Sequence, residues 1–163
     1  MRILAISCTL FLVVLCGTAR SGEGVFSEGD LVQLSFAPYI YHYNHGRNYN
    51  ASPWYTGLEW ESAKRWELGA AYFSNSYNQP CGYVYGGKRF IAGSPDNHLF
   101  LKITAGAILG YVHPYESKIP VNKDGIGLGI IPAVGYKYKR VTTQIAVLSM
   151  SGLMVNFGYD IWK

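Results

Sequence analysis

Cysteine is close to absent from this 163-residue chain, and the little there is cannot cross-link it. Cys8 and Cys16 fall in an amino-terminal apolar stretch, which leaves Cys81 alone in the remainder. That stretch, MRILAISCTLFLVVLCGTARSG, places Arg2 before an apolar run from Ile3 to Leu15, with Gly17 and Ala19 where a signal peptidase reads. It reads as a secretory signal peptide over 1–19, cleaved after Ala19, since Leu15 is too bulky for lipid attachment at Cys16. The mature chain, 20–163, can then form no internal disulfide. After the signal there is no apolar run long enough for a membrane-spanning helix. Charge is sparse as well. Without Arg2, 13 basic residues face 10 acidic ones, a net of +3. No concentrated basic face emerges, so a nucleic-acid partner is not expected.

What the chain does have is tyrosine, glycine and alternation. Aromatics make up 15% of the residues, 14 of them Tyr, and there are 19 glycines. Eight candidate strands follow one another at about 31–43, 53–62, 65–74, 81–91, 98–111, 126–138, 140–149 and 152–162. Short connections near 62–64, 92–97 and 139–140 alternate with longer ones at 44–52, 74–80 and 112–125; a tighter one lies near 149–151. An even strand count with short turns at one end predicts an all-β protein: an eight-stranded antiparallel up-and-down outer-membrane barrel.

The two faces of each strand differ. In the fifth segment Leu99, Leu101, Ile103, Ala105, Ala107, Leu109 and Tyr111 share one face, against Phe100, Lys102, Thr104, Gly106, Ile108 and Gly110 on the other. In the sixth, Ile126, Leu128, Ile130, Pro132, Val134, Tyr136 and Tyr138 oppose Gly127, Gly129, Ile131, Ala133, Gly135 and Lys137. An apolar face ending in aromatics suits lipid and its interfaces. The opposite face carries Glu59, Glu61, Glu67, Lys102 and Lys137 near the short turns, where pairing would bury their charge. Toward the long loops the same face carries Gly106, Gly110, Gly127 and Gly129, which predicts a slot in the outer half of the lumen.

The turn FSNSYNQP, residues 73–80, is good turn chemistry by itself, because Asn and Ser bond their own backbone and Pro80 cannot continue a ladder. Its wider setting is more specific. YIYH (39–42), PW (53–54), FSNSYN (73–78), HLFLKITAG (98–106), IIPAVGY (130–136) and GLMVNFGYDIW (152–162), in that order on eight strands, resemble the lipid A palmitoyltransferases of Gram-negative outer membranes, the PagP-like family, as a divergent branch. The resemblance implies a monomeric outer-membrane enzyme that moves a palmitoyl chain from a phospholipid donor to lipid A without cofactor or metal. It carries the catalytic His to His42 and the Ser to Ser76. The family's Asp falls on Asn75, a departure. The glycine that floors the acyl pocket corresponds to Gly87. Prolines that interrupt the barrel ladder for lateral lipid entry match Pro38, Pro53 and Pro132; one expected around 149–151 is missing, and the helix that precedes the family's barrel is shortened.

Acyl transfer needs a base for the attacking hydroxyl and a partner for the oxyanion. His42 suits the first near neutral pH. Ser76 can bond the imidazole, the oxyanion or a substrate hydroxyl, and Asn75 can orient His42 through its amide oxygen without supplying charge. His45 is the local rival of His42; together they make an H-x-x-H pattern without a third metal ligand. Gly125, Gly127 and Gly129 precede an apolar strand rather than a helix, which excludes a nucleotide loop. Two other readings stand beside acyl transfer: a non-catalytic small barrel that binds lipid, and a lipid A deacylase.

Overall fold

The structure is a computed structural model that describes residues 27–38, 40–43, 53–148 and 152–163. The signal segment, His45, the 44–52 loop and residues 149–151 lie outside the described residues. Among the described residues nine strands form: β1 (Leu31–Ala37), β2 (Ile40–His42), β3 (Tyr55–Glu61), β4 (Trp66–Ser74), β5 (Pro80–Ser94), β6 (Asn97–Leu109), β7 (Ile126–Tyr138), β8 (Val141–Val147) and β9 (Gly152–Trp162). Every ladder is antiparallel, in the order β1-β3-β4-β5-β6-β7-β8-β9-β2, and β1 also pairs with β9. That last pairing closes an eight-stranded up-and-down barrel in which β1 and β2 occupy one wall position.

The expected first strand, 31–43, is therefore split. Pro38 stands between its halves and has no N–H to donate to a ladder. The β5–β6 hairpin is longer than its sequence suggests, because pairing runs through to Ser94↔Asn97 around a tight turn. At the other end of β6, Gly110 turns to φ +102° and stops the strand at Leu109. This breaks the alternation, so Tyr111 does not join the outer face. It packs instead on the Tyr83, Tyr85 and Ile108 cluster. Burial there, reinforced by Cys81 and Tyr77 nearby, pushes the Tyr111 hydroxyl's pKa up.

Elsewhere alternation sorts side chains as the period of two requires. Leu99 is 59% exposed and Ile130 is 70% exposed, while Phe100 keeps 3%. The outside is apolar and ringed by Tyr and Trp; the inside is polar and charged. This is a soluble protein turned inside out.

The inner charges lie in one layer near the short turns. Arg89 reaches Glu59 through Nη2 at 3.0 Å, Glu61 through Nη1 at 2.8 Å and Glu67 through Nε at 2.7 Å. Lys102 is 2.6 Å from Glu59, and Arg65 is 2.6 Å from Glu61. Three carboxylates thus meet three cations, which offsets the desolvation of each. The Arg89 guanidinium also lies 4.6 Å from the centroid of the Phe100 ring. Beside this layer Lys137 pairs with Asp160 at 2.6 Å, and Gln33 donates to Thr142 at 2.8 Å and to Asp160 at 3.0 Å. Arg89 and Asp160 were the missing counter-charges of the sequence reading. Their parity with Tyr85 and Asn156, both lumen-facing, was the available signal.

Candidate active site

Two chain segments 34 residues apart meet at the long-loop end of the barrel. One is the end of β2. It pairs with β9 through Ile40↔Met154, Tyr41↔Leu153 and His42↔Gly152. The other is the turn between β4 and β5, which Asn75 builds. The Asn75 amide oxygen accepts the backbone N–H groups of Tyr77 and Gln79, each at 2.9 Å, and its amide nitrogen donates to Gln79 Oε1 at 3.1 Å. Asn78 completes the turn at φ +63°, a conformation Asn tolerates better than most residues. Asn75 is itself 2% exposed.

This turn presents Ser76 to His42. The Ser76 hydroxyl and His42 Nε2 are directly hydrogen-bonded, and His42 Nδ1 lies 3.2 Å from the backbone carbonyl of Ile40. A carbonyl only accepts, so Nδ1 carries the proton and Nε2 offers its lone pair to Ser76. Imidazole orientation, the task assigned to Asn75, is thus done by a backbone carbonyl. Asn75 cannot share it through its amide oxygen, because both lone pairs of that oxygen are already taken by N–H groups. The resulting pair is a hydroxyl held by an imidazole nitrogen, the elementary arrangement of nucleophilic acyl chemistry.

Among the described residues the barrel wall is interrupted beside this pair: the β1–β3 ladder ends at Ala37↔Tyr55, and β2 pairs with β9. Pro38 and the buried Pro53 flank the end of that ladder. A second interruption falls at Pro132: β8 pairs with β7 only from Ala133↔Ala146 to Tyr138↔Val141, leaving Ile126–Pro132 on β6 alone among the described residues.

The lumen differs from expectation. A cavity of about 30 Å³ lies at mid-barrel, with Tyr83, Tyr85, Lys102, Thr104, Gln144 and Met154 in its wall. It has room for water and none for an acyl chain. The expected slot is filled. A Cβ on Gly127 would lie 2.4 Å from Ile119 Cγ2, and one on Gly129 would lie 2.5 Å from Ile108 Cδ1. At Gly106 and Gly110 it would strike the carbonyl oxygens of Val84 and Pro80. These glycines admit neighbours rather than leaving space.

Gly87 is likewise no floor. It is absent from the cavity wall, and a Cβ there would lie 2.7 Å from the Ile103 carbonyl oxygen and 2.8 Å from Thr104 Cγ2. Below the cavity Tyr85 donates to Glu59 at 2.8 Å, so the cavity ends on Tyr85, Lys102 and the ion layer. Compared with known proteins, the chain matches no protein-family model and no curated protein.

Proposed function

We propose that this protein is an outer-membrane acyltransferase that moves a phospholipid acyl chain to lipid A, with Ser76 and His42 as its reacting pair. The observation that carries the reading is the Ser76–His42–Ile40 carbonyl relay at the interrupted rim of the barrel. The short turns would face the periplasm and the relay the outer leaflet, where lipid A resides.

In the first half-reaction Ser76 Oγ attacks the donor ester carbonyl while His42 Nε2 takes its proton. The tetrahedral intermediate collapses, the C–O bond to the glycerol breaks, and His42 returns the proton to the departing alkoxide. In the second, a lipid A hydroxyl attacks the acyl-serine with His42 again as base, and Ser76 leaves with the proton. With a lipid A ester as the donor and water in place of the accepting hydroxyl, the same pair would be a lipid A deacylase. The filled lumen favours a second reading, a non-catalytic lipid-binding barrel, because about 30 Å³ accepts no acyl chain.

Mass spectrometry of lipid A from cells with and without the protein separates the three. A gained acyl chain supports the transferase, a lost one the deacylase, and an unchanged profile the non-catalytic barrel.

A further inference from the structure

The loop between β6 and β7 folds inward over the mouth of the barrel. After the short 3₁₀ turn Glu116–Lys118, Ile119 drops its side chain into the dent where Gly127 has none. There it joins the apolar cluster of Tyr83, Tyr85 and Ile108. Tyr83 and Ile131, which also packs on that cluster, line the mid-barrel cavity as well. Ile119 therefore packs on the same cluster that borders the mid-barrel cavity.

The loop is strapped down. The Leu128 N–H donates to the Pro120 carbonyl at 3.2 Å, and Gln79 Nε2 donates to the Val112 carbonyl at 3.2 Å. Tyr115 stacks on Tyr77 with ring centroids 3.7 Å apart and planes 12° from parallel. Tyr77 directly follows Ser76, so the strap is anchored on the turn that carries the candidate nucleophile. The fold is held against local preference. Val121, two residues past Ile119, takes φ +54°, which a β-branched residue rarely adopts.

We propose that Ile119 is a built-in plug occupying a lumen site for a straight alkyl chain, and that the 110–125 loop must lift for such a chain to enter. The proposal rests on the acyl-transfer reading for its choice of ligand. Its geometry is independent: an apolar seat floored by glycine, filled by a residue from a strained and strapped loop. Lifting the loop would release Tyr115 from Tyr77 and so bear on Ser76, linking chain entry to the reacting pair.

The test uses the mature barrel in phosphatidylcholine nanodiscs containing a sixteen-carbon fatty acid with a terminal diazirine. After irradiation, labelled residues are mapped by peptide mass spectrometry. Wild type should label outer-face residues such as Leu101 and Ile103. Ile119→Ala should add labelling of Ile108 and Ile131 at least several-fold above wild type. Tyr115→Ala, which cuts the strap and leaves the lumen wall intact, should do the same to a lesser degree and guards against a folding defect in the first variant. Unchanged outer-face labelling in both variants, with heat-modifiable mobility retained, overturns the plug. Lumen labelling without any transfer to lipid A would instead remove the transferase reading and leave the plug standing.

Discussion

At the scale of single residues the candidate site divides its labour differently from a carboxylate-assisted triad. The carbonyl of Ile40 selects the His42 tautomer, and Asn75 shapes the turn that delivers Ser76. Ser76→Ala should therefore lower acyl transfer by at least about 10³-fold, since residues that act as a unit fail together. His42→Ala should cost about 10²–10⁴-fold, the usual contribution of a positioned base. Both variants should keep the barrel's heat-modifiable mobility, and steady-state transfer assays read the losses. Asn75→Ala should act on stability first, by about 1 kcal/mol in a denaturant titration, because it removes the acceptor of two half-buried N–H groups. Asn75→Asp keeps both acceptor positions and should change the rate by no more than a few-fold; a rise comparable to a triad carboxylate's contribution would mean that residue 75 does reach His42. Gly87 belongs here too. Gly87→Ala should lower the melting temperature rather than shorten any transferred chain, since its methyl would meet a backbone oxygen at 2.7 Å.

At the scale of elements, β3, β4, β5 and β6 are joined through their lumen faces by a single guanidinium and its partners. Arg89 on β5 holds Glu59 and Glu61 on β3 and Glu67 on β4, and Lys102 on β6 adds a second cation to Glu59. Arg89→Met preserves much of the volume but leaves buried carboxylates short of charge. It should destabilise the barrel by about 3–5 kcal/mol, the cost of breaking one side of a buried ion pair, measured by urea unfolding in lipid. Parity along each strand showed in the sequence which residues turn inward; it did not show that Arg89 would serve three partners. The Pro38 break was visible as a proline. That β2 would pair with β9 was not, because that pairing joins segments more than a hundred residues apart.

At the scale of the whole molecule, the outer belt is the property that sets the protein's surroundings. Leu101 lies in the middle of β6, is 48% exposed and points outward between Phe100 and Lys102, which point in. In a bilayer Leu101→Arg should cost about 2–4 kcal/mol near the midplane, visible as reduced membrane assembly in a vesicle folding assay. If Leu101→Arg assembles as well as wild type, the belt does not face lipid.

Local covalent geometry explains what the chain alone determined. A strand turns successive side chains to opposite faces, so alternation revealed the eight wall positions, their apolar exterior and the inward charges without reference to any partner. Asn, Ser and Pro act on their own backbone, so the 73–80 turn was equally legible. Pairing between strands decided the rest. The β1–β3 and β3–β4 ladders bring the wall position of Ile40–His42 to the same end of the barrel as the turn carrying Ser76. Only packing across the lumen decides whether a glycine leaves a void or receives Ile119, because that depends on side chains arriving from other strands and loops. Glycine records the absence of a side chain at its own position; what fills the space is a property of its neighbours.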